Sequence, residues 1–200
     1  MGRKNSVGTA NGLPNGERAG GAAAGSGAPV PCHLLVMRTS AMGDVAMLPH
    51  ALRALTAAYP DLRVTVATQA MFSPFFAGLD VGFLDVDVKG AHHSLAGMWR
   101  LAAQARRLGV DAVADVHDVL RSKAFRLAMR LHGVPAAHID KGRAGKRAFI
   151  RCGGRGMEPL RHTVLRYCDV FRKLGFVLDD PAPAVRRDRP NPFGEKHGVW

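Results

Sequence analysis

From His33 onward the chain alternates between short apolar or β-branched runs and stretches where apolar residues recur every three or four positions. Leu34–Met37 is fully apolar, as expected of a strand covered on both faces. Val45, Leu48, Leu52, Leu55 and Tyr59 then mark one buried helical face. Pro49 suits the first turn of that helix but kinks it if it begins at Val45, and Tyr59-Pro60-Asp61 stops it. Leu62–Ala67 is a β-branched strand of period two. Met71–Ala77 reads as a short helix interrupted by Pro74, and Phe83–Val88 as a third strand. Leu95, Met98, Ala102, Ala105 and Leu108 predict a helix closed by Gly109, followed by a strand at Asp111–Val116. Leu120, Ala124, Leu127 and Leu131 predict the apolar stripe of the next helix, closed by Gly133-Val134-Pro135. A short strand at Ala137–Asp140 precedes a helix over Glu158–Leu174 that buries Leu160, Val164, Cys168 and Phe171 and ends at Gly175. Strands alternating with helices in this way imply βαβ units, hence an α/β fold: a Rossmann-like parallel sheet flanked by helices.

The flanks differ in composition. Residues 1–31 are dominated by Gly, Ala, Ser, Asn and Pro without periodicity, and are expected to be a disordered tail. Residues 32–176 form the Rossmann-like domain, and 177–200, with four prolines after Val177 and no sustained pattern, read as a linker. No apolar run reaches the length of a membrane span, and no hydrophobic stretch follows Arg3 and Lys4 as a secretory signal requires. Cys32, Cys152 and Cys168 are odd in number and widely spaced. They fit reduced thiols of a cytoplasmic protein, not a disulfide framework or a zinc site.

Charge changes the picture more. The formal net charge is +12, and residues 141–200 carry fourteen Lys/Arg against six Asp/Glu. Such a surface favours anionic partners, although an Arg-rich codon bias produces a similar excess. The basic loop Lys141–Arg155, with Arg161, Arg166, Arg172 and Lys173, is either a solvated face, a site for an anionic acceptor, or a nucleic-acid surface. Aromatic residues are not interleaved with these charges, which weakens the last option.

The candidate chemistry lies at strand ends, where ligands bind in open α/β sheets. The loop Arg38-Thr39-Ser40-Ala41-Met42-Gly43-Asp44 leaves the first strand. It has one glycine, so it is not a dinucleotide fingerprint; Gly43 permits a tight turn. Asp44 is either an N-cap or a catalytic base. After the fourth strand come Asp115, His117, Asp118 and Arg121, which a parallel sheet brings to the same edge. Arg121 suits phosphate or carboxylate recognition, while His117 and Asp118 equally fit ordinary loop chemistry. Gly142-Arg143-Ala144-Gly145-Lys146-Arg147 lacks P-loop spacing and its hydroxyl. His92-His93 has no further ligands at metal spacing and reads as a solvated loop, so no metal site is expected.

Taken together, Leu34–Met37 with Arg38-Thr-Ser-Ala-Met-Gly-Asp-Val45, Leu52-Arg53-Ala54-Leu55, Tyr59-Pro60-Asp61, Asp115-Val-His-Asp-Val-Leu-Arg121-Ser122 and His162-Thr-Val-Leu-Arg166-Tyr167 resemble family 9 glycosyltransferases, which include lipopolysaccharide heptosyltransferases. The resemblance covers about residues 33–180. His117-Asp118 departs from the Gln-Gly of many relatives.

The resemblance implies the N-terminal, acceptor-binding domain of a GT-B enzyme. It also implies inverting, metal-independent transfer of a heptose or related sugar from a nucleotide sugar such as ADP-heptose, with no cofactor. The acceptor would be the anionic lipopolysaccharide core, reached from the cytoplasm with peripheral contact to the inner membrane, and no nucleic acid is involved. Asp44 would be the general base, with Arg38, Ser40, Gly43, Asp115, His117 and Arg121 holding substrate. The nucleotide-sugar domain of relatives would follow Trp200, so transfer is not expected of these residues alone. Another nucleotide-binding Rossmann-type enzyme and a basic nucleic-acid-binding module are the competing readings.

Overall fold

The computed structural model describes residues 30–142, 147, 149–151 and 161–181. The tail before Val30, most of the basic loop, Leu160 and the segment beyond Pro181 lie outside the described residues. The elements are β1 (His33–Met37), α1 (Met42–Ala58), β2 (Arg63–Thr68), a 3-10 helix (Ala70–Phe76), β3 (Gly82–Asp85), α2 (Leu95–Arg107), β4 (Ala112–Asp115), α3 (Leu120–Leu131), β5 (Ala136–His138) and α4 (Thr163–Arg172). The five strands pair in parallel in the order β3-β2-β1-β4-β5. The α/β Rossmann-like sheet expected from the alternation is therefore present, with β1 at its centre.

Because successive strand residues face opposite sides, β1 feeds two cores. Leu34 and Val36 join Val45, Leu48, Leu52 and Leu55 of α1 and Val164, Tyr167 and Phe171 of α4. Leu35 and Met37 join Met98, Leu101 and Ala105 of α2 and Phe125, Ala128 and Met129 of α3. Burial of all five β1 residues explains the unbroken apolar run Leu34–Met37, and the fifth, His33, pairs its Nε2 with the Thr65 hydroxyl at 2.8 Å. Tyr59 ties the chain after α4 to α1: its hydroxyl accepts from the Val177 N–H at 2.8 Å, and its ring meets Phe176 edge-on.

Three expectations change. The first helix begins at Met42 and continues past Pro49, which is buried inside it; the ring only removes the N–H that would reach Val45, and burial of the α1 face outweighs that loss. The stripe predicted for α3 lies mostly on its outer face: Leu120, Leu127 and Leu131 are exposed and only Ala124 packs partly against the core, while Ser122, Phe125, Ala128 and Met129 pack inward. His92 is not solvated but buried, its Nδ1 accepting from the Asp87 N–H at 3.1 Å. Gly109 closes α2 as expected, at φ +76, where a side chain would be strained.

Candidate active site

Parallel register places Met37 beside Ala67 and Asp115, so Arg38 and Val116 emerge together at the carboxyl edge of the sheet. Ile139 and Lys141 follow β5 to the same edge, and α4 starts above it at Thr163. These elements enclose a cavity of about 320 Å³ lined by Arg38, Ser40, Ala41, Asp44, His117, Val119, Ile139, Lys141, Thr163 and Arg166.

Arg38 and Asp44 form its centre. Arg38 is almost wholly buried, and its guanidinium donates to the Val116 carbonyl and to the Asp44 carboxylate. It also lies over the Tyr167 ring, 5.9 Å from the centroid. Asp44 is not the N-cap, since Ala41 holds that position and caps with no side chain. It stands in the first turn of α1, where the helix dipole favours a negative charge. Its side chain is 44% exposed, open to a ligand. Tyr167 donates its hydroxyl to the Asp44 main-chain carbonyl at 3.0 Å, and burial pushes its phenol up to about 12, so it remains a donor.

His117 supplies a neutral imidazole. Burial first, then the charges of Arg38, Lys141 and Arg121, push its pKa down to about 4 against the opposing pull of Asp44. Its Nδ1 accepts from the Thr39 N–H at 3.4 Å; in that tautomer Nε2 carries the proton and can donate. The following residue, Asp118, holds a left-handed backbone, φ 47, which costs a non-glycine residue about 1 kcal/mol or more. A glycine would adopt it freely.

The remaining candidates are placed elsewhere. Asp115 is fully buried and does not line the cavity. One of its oxygens accepts from the N–H groups of His117 and Asp118 at 3.0 and 2.8 Å, and the other from Arg126 at 2.9 Å. The carboxylate therefore shapes the loop after β4. Arg121 also lies outside the cavity lining, and donates to the Val88 carbonyl at 2.9 Å, tying α3 to the segment after β3. Gly43 is in helical backbone within the first turn of α1, and a Cβ there meets nothing within 4 Å, so no tight turn needs it. Arg161 and Arg172 are engaged with Asp169 and Asp180.

Lys141, Thr163 and Arg166 are cavity residues that strand-end reasoning missed, because Lys141 lies beyond the end of β5 and the other two on α4, not on a strand end. Two signals were available: the cationic cluster itself, and the His162–Tyr167 segment of the family resemblance. Among the described residues no three His, Cys, Asp or Glu side chains are grouped to hold a metal ion.

The fold and the cavity define a Rossmann-like α/β domain with a carboxylate–guanidinium pair at the end of its central strand. A similar fold occurs in the family 9 glycosyltransferase of Veillonella parvula DSM 2008, at TM-score 0.56 and 18% identity, over 76% of this chain and 43% of that one. The E. coli heptosyltransferase WaaC, solved with ADP-2-deoxy-2-fluoro heptose, matches at TM-score 0.51 and 19% identity, over 74% of this chain and 50% of that one. This chain thus spans half or less of the transferases whose fold it shares. No family model matches it. The alpha subunit of phenylalanine–tRNA ligase of Xanthomonas euvesicatoria is 30% identical over 96 residues, which is 46% of this chain and 28% of that protein.

Proposed function

We propose that this chain is the acceptor-binding, N-terminal half of an inverting, metal-independent glycosyltransferase, with Asp44 as general base. The transferred sugar is a heptose or a close relative, the donor an ADP-sugar bound by a second domain, and the acceptor an anionic lipopolysaccharide-core saccharide presented at the cytoplasmic face of the inner membrane. The observation that carries this reading is the accessible Asp44 carboxylate, fixed by Arg38 and by the Tyr167–Asp44 backbone bond at the carboxyl edge of the central strand. The likeness to transferase folds over about three quarters of the chain supports it.

In the reaction the acceptor hydroxyl oxygen forms a bond to the anomeric carbon as its proton passes to the Asp44 carboxylate. The bond from that carbon to the diphosphate oxygen breaks, and ADP departs with the electron pair from the opposite face. A positioned base of this kind contributes roughly 10²–10⁴-fold. His117 and Ser40 line the same cavity, and in this reading the neutral Nε2–H and the hydroxyl hydrogen-bond the acceptor sugar.

The test is transfer from ADP-heptose to inner-core oligosaccharide, in the presence of EDTA, by a protein that joins this chain to a nucleotide-sugar domain. The expected product has the anomeric configuration opposite to the donor's, read by NMR coupling constants. A retained configuration or dependence on a divalent metal contradicts the proposal.

A further inference from the structure

Lys141 and Arg166 present two positive charges in the cavity that no carboxylate answers among the described residues. The third cation, Arg38, is engaged by Asp44. Lys141 donates through Nζ to the Asp118 carbonyl at 2.8 Å, and Arg166 through Nη1 to the Lys141 carbonyl at 2.8 Å. Each is held by main-chain oxygen, which fixes the group without neutralising it. The hold is a built one. Asp118 offers its carbonyl from a left-handed backbone, and Gly142, at φ +56, leaves the guanidinium room: a Cβ there would stand 2.8 Å from Arg166 Nη2.

Two part-buried cations fixed in one cavity repel one another, and an anion bound between them removes that repulsion. A guanidinium suits the planar, bidentate geometry of phosphate or carboxylate, and an ammonium adds a point charge. The start of α4 adds partial positive charge on the same side, since Thr163 lines the cavity.

We propose that Lys141 and Arg166 form an anion clamp, separate from the Arg38–Asp44 pair, which selects a phosphoryl or carboxylate group on the ligand of this cavity. That the group belongs to a sugar acceptor rests on the proposed function; the clamp itself does not. Arg121, the cation that sequence reasoning favoured for this task, is not part of it.

The experiment titrates the chain with inorganic phosphate and, separately, with glucuronate at pH 7 and constant ionic strength, by calorimetry. Saturable binding is expected for at least one. Lys141→Met and Arg166→Gln should each weaken it at least about tenfold, the loss typical of a charge-assisted hydrogen bond. Gly142→Ala keeps both charges but displaces the guanidinium, and should also weaken binding, while Arg121→Gln should leave it unchanged. Circular-dichroism melts verify that each variant is folded, and Lys141→Met, an accessible site, keeps the test open if another does not fold. Tighter phosphate binding assigns the clamp to a phosphoryl group and tighter glucuronate binding to a sugar carboxylate. Absence of saturable binding, or an equal loss on Arg121→Gln, overturns the clamp. Because no transfer is measured, failure here is distinguishable from failure of the transferase reading.

Discussion

Two aspartates at the carboxyl edge of the sheet, Asp44 in the first turn of α1 and Asp115 at the end of β4, have opposite tasks, and their surroundings decide which is which. Asp44 is held by one guanidinium and still reaches solvent, whereas Asp115 is fully buried and has three donors on its two oxygens. Removing one partner of a buried charged pair costs about 3–5 kcal/mol. Asp115→Ala should therefore lower unfolding stability by that amount in urea titrations, by stranding Arg126 and freeing the loop that positions His117. Asp44→Asn should cost clearly less than Asp115→Ala, because the Asp44 side chain is 44% exposed and the amide oxygen can still accept from Arg38. If both variants are equally stable, the division of labour is wrong. Sequence pattern could not distinguish these two residues, since each lies near the end of an apolar strand; only burial and donor count do.

At the scale of elements, the sequence pattern located every strand and helix that positions the cavity, because parallel strands buried on both faces and helices of three turns leave strong periodic signals. It failed where two periods coexist. In α3, Leu120, Leu127 and Leu131 form a tidier stripe than Ser122, Phe125, Ala128 and Met129, yet the second set faces the sheet. Helical spacing reports a face but not which one is inside when both carry apolar residues. Phe125→Ala should destabilise the fold by about 3–5 kcal/mol, and Leu127→Gln by less than about 0.5 kcal/mol, in the same denaturant assay. The reverse order would restore the face read from the sequence. The pairing of Lys141 with Arg166 was illegible for another reason: both belong to the cationic cluster of the sequence, but they are 25 positions apart, one after β5 and one in α4, and only the fold brings them together.

For the whole molecule, burial keeps several histidines neutral, and one of them, His117, lines the cationic cavity. His117 is pushed from 6.5 to about 4, chiefly by burial, and His33 and His138 are also held below their ordinary value, again chiefly by burial. A histidine with a lowered folded pKa takes up a proton on unfolding. The unfolded chain therefore binds more protons between about pH 6.5 and 4, and stability falls as pH drops through that window. His117 alone should account for about 3 kcal/mol of this loss, so His117→Gln should flatten the dependence of urea stability on pH. An unchanged slope in that variant would show that the imidazole is not held neutral. The cationic edge of that cavity, with the accessible Asp44 carboxylate in it, is what the proposed transferase reading requires. Its most direct test is turnover of Asp44→Asn, in a protein that joins this chain to a nucleotide-sugar domain, at saturating donor and acceptor. A base predicts a fall in kcat of about 10²–10⁴-fold with acceptor KM little changed; kcat within a few fold of the unsubstituted enzyme would contradict the assignment.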